Sequence, residues 1–295
     1  MRIGDLLDRK PDREITSVVK ITDHDARRVW TEMDEYVPTE KVKDYFREIV
    51  DVLAETRQGA TERVCTWLSG FFGSGKSHFT KVLGYLLEDR KLVDPDGHTH
   101  SSSELLAHKL GLESFLPLLT TELSTRVVYI NLLDYDPQSP DRPTISRLIY
   151  RGLLEHRGLS TMFWVAEWEK ELQQFGKWNE FGAWVESNFG RSWEQARRLN
   201  AEAVLARALP IILQELYRSE EDAKSALRDS KHRYSTVEPS WVVAGLWEEA
   251  KGIHPDRGRV VVLLDEVGLY IGDSVERLTD LNALAEQVHQ QGEGK

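Results

Sequence analysis

Two short stretches of this chain carry residue types whose spacing could do phosphate chemistry. The first, GFFGSGKS from Gly70 to Ser77, fits the pattern G-x-x-x-x-G-K-[ST]. At average residue usage a chance match in a chain of this length has a probability of about one per cent, so the match is informative. A triphosphate is a dense cluster of anionic oxygens that backbone N–H groups must wrap at close range. Gly70, Gly73 and Gly75 would let the loop approach those oxygens where a side chain would obstruct it. A helix starting near Lys76 would aim its unpaired N–H groups and positive dipole end at the same atoms. Lys76 would reach the outer phosphates, the Ser77 hydroxyl would ligate Mg²⁺, and Ser74 could add a donor. Phe71 and Phe72 are unusual inside such a loop and read as packing or partner-facing residues.

The second stretch is VVVLLDE, in which a run of aliphatics delivers Asp265 and Glu266 at the carboxyl end of a strand. Ligands of open parallel sheets sit at that end. Asp265 would hold Mg²⁺ through water, and Glu266 would orient and polarise the attacking water. Taken alone the pair reads equally well as a strand-end turn, because acids are common there. With the glycine loop in the same chain the functional reading is stronger. Adjacent Asp-Glu after an aliphatic strand favours the additional-strand (ASCE) class of P-loop hydrolases over nucleotide kinases.

The elements that would position these residues are legible from periodicity. Val42, Tyr45, Phe46, Ile49, Val50 and Leu53 repeat at helical spacing after Thr39, an expected N-cap. RVCTWLSG reads as a strand ending at a glycine, with Cys65 as a small buried strand residue, and KSHFTKVLGYLLEDRKL as the helix behind the loop. SSSELLAHKLG carries a capping box, Ser101 to Glu104, and a stop at Gly111. RVVYINLL reads as a strand and TISRLIYRGLLEHRG as a helix. The stretch from 160 to 254 holds seven of the nine tryptophans in amphipathic patterns, which suits a helical core better than a base-stacking surface. RVVVLLDE resumes as a strand covered on both faces, and SVERLTDLNALAEQVHQQG is an amphipathic helix. The expected organisation is a helical lead-in over 1–60, the first part of the nucleotide-binding core over 61–158, a Trp-rich helical insertion over 159–254, and the second part of the core over 255–295. The fold class is α/β: a parallel sheet flanked by helices, with a large, mainly helical insertion.

Composition narrows the function classes. A single cysteine excludes an internal disulfide and a cysteine-based zinc cluster. The net charge of -11 repels a phosphate backbone, so nucleic acid is no obvious direct partner. No apolar run has the length of a membrane span, and the start lacks a signal-peptide pattern, so a cytoplasmic protein is expected. In DPDGHTHSSS, His98 and His100 could ligate a metal with Asp94 or Asp96, although a polar loop is the plainer reading. RSEEDAKSALRDSKHR reads as a solvated helix face.

MRIGDLLDRKPDREITSVVKI, DEYVPTEKVKDYF, WLSGFFGSGKSHFTKVLGYLLE and VLLDEVGLYIGD, in that order, resemble the amino-terminal part of the large P-loop ATPase of BREX phage-exclusion systems, the BrxC/PglY group. SGFFGSGKSHF is much more specific than a bare phosphate-loop pattern, and the WEKELQQFGKWNEF region agrees more loosely. The resemblance implies a P-loop NTPase of the AAA+ type, with Gly70 to Ser77 as the nucleotide loop and Asp265 with Glu266 as the Mg²⁺ and water-activating pair. It implies ATP and Mg²⁺ as ligands, a DNA methyltransferase and other defence components as partners, a homo-oligomer, and DNA contact that is indirect or lies outside this segment. It places the base pocket around Tyr36 to Thr39. It further implies that a strand with a polar sensor residue, seated between the glycine-loop strand and the DE strand, should begin where this sequence reaches QQGEGK, so that the chain is a fragment lacking its carboxyl-terminal strands. The expected activity is ATP hydrolysis within a defence complex. The alternative is a nucleotide-gated scaffold that binds ATP to organise partners with little turnover; a small-molecule kinase is a third reading with no acceptor site. ATP and GTP are not distinguished by the sequence.

Overall fold

Several helix starts in this chain coincide with hydroxyl side chains that accept the first unpaired backbone N–H groups. The computed structural model describes residues 20–22, 25–57, 63–71, 73–134 and 143–291. Helix α1 spans Ala26–Asp34 and α2 spans Glu40–Glu55, where Thr39 Oγ1 accepts from Val42 N at 3.3 Å. Helix α3 is Lys76–Glu88, followed by the strands β1 (Lys91–Val93) and β2 (Thr99–Ser101) and by helix α4 (Ser102–Leu110). Ser101 Oγ accepts from Glu104 N at 3.0 Å, and Gly111 ends α4 in the left-handed conformation. Strand β3 is Ser124–Asn131. Helices α5 (Ile145–His156), α6 (Phe163–Gln174), α7 (Trp178–Phe189), α8 (Trp193–Ile212), α9 (Glu220–Arg233) and α10 (Pro239–Ile253) come next. Strand β4 (Gly258–Asp265), the short α11 (Val267–Ile271) and α12 (Val275–Gln291) complete the order.

These elements form two compact units, the first within 1–135 and 249–270 and the second within 136–248 and 271–292. In the first unit β3 and β4 pair in parallel, Ser124 opposite Gly258 through to Asn131 opposite Asp265. β1 and β2 form an antiparallel hairpin, Lys91 opposite Ser101. Helix α3 packs against both β3 and β4 on one side and against α4 on the other. Its residues 81 to 87 are all buried, so this helix is enclosed on nearly every side and not on one stripe alone. At Gly84 an added Cβ would lie 2.2 Å from the Tyr129 hydroxyl, so the absence of a side chain sets how closely α3 approaches β3. The serines that open α4 have a second task. Ser102 Oγ donates to Tyr85 O and Ser103 Oγ to Leu86 O, both at 2.6 Å, which satisfies carbonyls that the last turn of α3 leaves unpaired.

Two expectations are corrected here. Residues 63–70 belong to neither of the two-stranded sheets among the described residues, and Cys65 is exposed, not a buried strand residue. β-branched and aromatic content makes a strand only where a neighbour satisfies its backbone N–H and C=O groups, and here no described strand lies alongside. Strand β4 is likewise less covered than its five aliphatics suggest. Among Val260 to Leu264 only Leu263 is buried, as befits a strand paired on one side among the described residues.

The second unit is helical. Thr144 Oγ1 accepts from Arg147 N at 3.2 Å, and Asp280 Oδ2 of α12 accepts from Ser146 N at 2.8 Å, so α5 and α12 belong with the Trp-rich helices. Trp168, Leu172, Phe181, Val185 and Trp193 are part of its buried core, where tryptophans pack in place of a stacking surface. The acidic run is α9, with Glu220, Glu221 and Asp222 at its start and Lys231, His232 and Arg233 at its end, signs that match the helix dipole. Among the described residues no helix is long and apolar enough to cross a membrane.

Candidate functional site

The loop before α3 is built from left-handed glycines. Gly73 has φ 78° and Gly75 has φ 88°, conformations that glycine adopts at little cost, and an added Cβ at either would meet nothing within 4 Å. The backbone therefore faces open space at these two positions. The loop is closed by Ser74 N donating to Phe71 O at 3.2 Å, and an added Cβ at Gly70 would come within 2.8 Å of Ser74 Oγ. The bond from Phe79 N to Gly75 O, 2.8 Å, begins the helical ladder, which leaves the N–H groups of Lys76, Ser77 and His78 ahead of it. That cluster of backbone donors at the positive end of a 13-residue helix is suited to an anion.

Lys76 folds over the loop, its Nζ donating to Gly70 O and Phe71 O, each at 3.0 Å. A phosphate arriving there would exchange two neutral acceptors for charged ones, which form stronger bonds. Phe71 is 92% exposed, so it is not a packing residue, and Phe72 lies outside the described residues.

Asp265 ends β4, level with Asn131 at the end of β3. Its Oδ1 accepts from Glu266 N at 3.0 Å, which fixes the carboxylate and leaves Oδ2 for another partner. Glu266 adopts φ 61°, a left-handed conformation that costs a residue with a Cβ about 1 kcal/mol or more. Its carbonyl accepts from Tyr270 N at 3.0 Å, so α11 holds the strained residue in place from the far side. Non-glycine residues in this conformation cluster at active sites; among the described residues Asp89 shares it, but as the residue that ends α3, whereas Glu266 follows the end of β4 beside Asp265.

The structure thus brings Gly70, Phe71, Gly73, Ser74, Gly75, Lys76 and Ser77 together on one loop and helix start. It sets that helix on the same parallel pair whose end carries Asp265 and Glu266. The oxygen donors Ser77 and Asp265 suit a hard divalent cation such as Mg²⁺ in chemical type.

Two further groups at this site were not named from the sequence. Asn131 ends β3 level with Asp265 and Asp134 follows three residues later, with Asn131 Nδ2 donating to Asp134 Oδ1 at 3.4 Å and Asn131 Oδ1 accepting from Leu133 N at 3.1 Å. The signal was present, since VVYINLLD ends an aliphatic run in polar residues as VVVLLDE does. His78, one residue past Ser77, packs edge-on against Tyr36 with ring centroids 4.8 Å apart. Burial first, and the Lys81 ammonium second, hold the His78 imidazole below its ordinary range, and burial pushes the Tyr36 phenol up to about 12. Tyr36, in the stretch expected to meet a base, therefore lies against the first turn of the loop helix.

No family model matches this chain, and no solved structure matches it.

Proposed function

We propose that the chain is an ATP-binding and hydrolysing P-loop subunit, with an AAA+-like, ASCE-type core, of a BREX-type phage-exclusion complex in the cytoplasm. One observation carries the reading. A glycine bend with two left-handed residues opens a helix that starts with Lys76 and Ser77, and that helix packs on the parallel pair ending in Asp265 and the strained Glu266.

On this reading the backbone donors of Gly73 to Ser77 cradle the phosphates, and Lys76 offsets the charge that develops on the outer phosphoryl group. Ser77 and Asp265 would hold Mg²⁺, which neutralises phosphate charge when bound. Glu266 accepts the proton of the attacking water, and its fixed backbone limits the reorganisation that this step requires. Residues 63–70 then have the composition of a strand whose neighbour, expected between them and β4, is not among the described residues. The methyltransferase partner, the homo-oligomer and the role in phage exclusion rest on the sequence resemblance.

The test is ATP binding and turnover by the protein beside its Lys76→Ala and Glu266→Gln variants. Lys76→Ala should lose nucleotide binding. Glu266→Gln should bind ATP and turn it over about 10²–10⁴-fold more slowly, since it keeps the shape and loses the polarising charge. Unchanged turnover in both variants would remove these residues from the mechanism. Defence that survives Glu266→Gln but not Lys76→Ala would favour the nucleotide-gated scaffold.

A further inference from the structure

The tip of the β1–β2 hairpin holds a second constellation that the nucleotide chemistry does not use. Residues 94–98 form a turn pinned by one carboxylate. Asp94 Oδ1 accepts from Asp96 N at 3.0 Å and from His98 N at 2.8 Å, and the strand pairing continues into the turn through Asp94 N to His98 O at 3.0 Å. With Oδ1 committed to the backbone, Oδ2 is aimed at two imidazoles. His98 Nδ1 lies 3.2 Å from it and His100 Nε2 lies 2.9 Å from it. The two histidines converge because His98 ends the turn opposite Asp94 and His100 lies two residues further on, within β2. The His100 ring is held from behind by Trp30 of α1, ring centroids 4.7 Å apart. Ligand atoms of Asp94, Asp96 and His98 all lie within 4.8 Å of one another.

We propose that Asp94, Asp96, His98 and His100 form a binding site for a zinc-type divalent transition metal. Three physical arguments carry this. The first is distance: a tetrahedral ion with N and O ligands at ~2.0–2.1 Å has ligand-to-ligand edges of about 3.3 Å. The edges from Asp94 Oδ2 to His98 Nδ1 and to His100 Nε2, 3.2 and 2.9 Å, are within a few tenths of an ångström of that value; Asp96 already shares the cluster of Asp94 and His98, so the larger adjustment on ligation falls on drawing His100 toward those two. The second is donor type, because two imidazoles with carboxylates suit zinc, nickel or copper, whereas magnesium and calcium take oxygen alone. The third is charge: two carboxylates and two neutral imidazoles match a dication. Asp94 also fixes one ligand by bonding the backbone of the loop that presents the others, an arrangement that orients metal ligands before the metal arrives. Closing the turn with a metal would tie β1 to β2 and, through His100 and Trp30, the hairpin to α1.

Zinc binding to the whole chain, followed by calorimetry, tests this, with Co²⁺ absorption reporting coordination geometry. The informative variants are His98→Ala and Asp96→Ala, because both side chains are exposed and the turn's backbone bonds to Asp94 do not involve them. Wild type should bind one equivalent of zinc, show the intense visible bands of a four-coordinate cobalt site, and ignore equimolar calcium and magnesium. Each variant should lose about tenfold or more in affinity and the cobalt bands with it. Zinc held equally well by wild type and by the double variant would mean adventitious binding to other histidines and would overturn the assignment. So would calcium displacing zinc, or no binding at all.

Discussion

A fully buried carboxylate and a partly buried one have received opposite treatment in this molecule. Glu169, in the helical unit, has no exposed surface and accepts three donors: Ser160 N, Trp193 Nε1 and Arg197 Nη1, each at 2.6 Å. Glu32, in the sheet unit, faces the fully buried Lys81 with Oε2 and Nζ 2.5 Å apart, yet the two are not aligned as a hydrogen bond, and neither atom has another partner. Glu169 has lost its water entirely, and Glu32 has lost it at Oε2. Only one recovered directional bonds in exchange. A buried charge with aligned partners fixes a single arrangement of the helices around it, whereas a misaligned pair has Coulombic attraction alone to set against desolvation. The misaligned pair joins α1 to α3, the helix that carries Lys76 and Ser77, and its Lys81 lies close enough to His78 to lower that imidazole's proton affinity.

The largest effect should follow from breaking the satisfied hub. Glu169→Gln removes the charge that Arg197 answers, and a buried pair broken from one side costs about 3–5 kcal/mol. Seven of the nine tryptophans lie in the helical unit, so intrinsic fluorescence in a urea titration reads that unit, and its midpoint should fall sharply. A loss below about 1 kcal/mol would mean that the three bonds hold nothing together.

Replacing both members of each pair with apolar residues sharpens the contrast. Lys81→Met alone should destabilise the sheet unit by about 3 kcal/mol, because Glu32 is left buried and uncompensated. Adding Glu32→Leu should bring stability back to within about 1 kcal/mol of wild type or above it. The matching Glu169→Leu, Arg197→Met change should not recover, since Trp193 Nε1 and Ser160 N lose their acceptor at about 1–3 kcal/mol each. Hydrogen exchange resolved by peptide, which follows the two units separately, measures all three variants. Equal recovery at both sites would erase the distinction.

What the sequence disclosed follows the range of the interactions. The start of the loop helix, the caps at Thr39 and Ser101 and the stop at Gly111 depend on residues within a few positions, and all are where periodicity and capping chemistry put them, whereas the loop helix ends at Glu88, short of the expected Leu92. The hidden features depend on distant residues. Residues 63–70 have strand composition but need a neighbour that only the fold can supply. Lys81 sits in a helix whose spacing suggests one apolar stripe, and yet it is fully buried and faces Glu32 of α1. The hairpin at 91–101 hides behind DPDGHTH because proline, glycine and acids signal a turn without saying that strands flank it. Gly70 to Ser77 are legible as a loop, whereas the strain at Glu266 is a backbone angle that residue type does not announce.

The smallest effect returns to the misaligned pair through its neighbour. His78 is held neutral, chiefly by burial and secondly by Lys81, with its proton affinity below the ordinary value of 6.5. The unfolded chain therefore binds a proton that the folded one refuses. Stability is complete above pH 6.5 and is lost as pH falls through the depressed value of the folded state. A urea midpoint for the sheet unit measured from pH 7.5 downward should decline in wild type, and His78→Gln should remove that share of the decline because glutamine does not titrate. The Lys81→Met, Glu32→Leu double variant keeps the burial and deletes the ammonium, so its decline should fall between the two. A double variant as steep as wild type would mean that Lys81 does not act on His78 and that the pair touches the loop helix through packing alone.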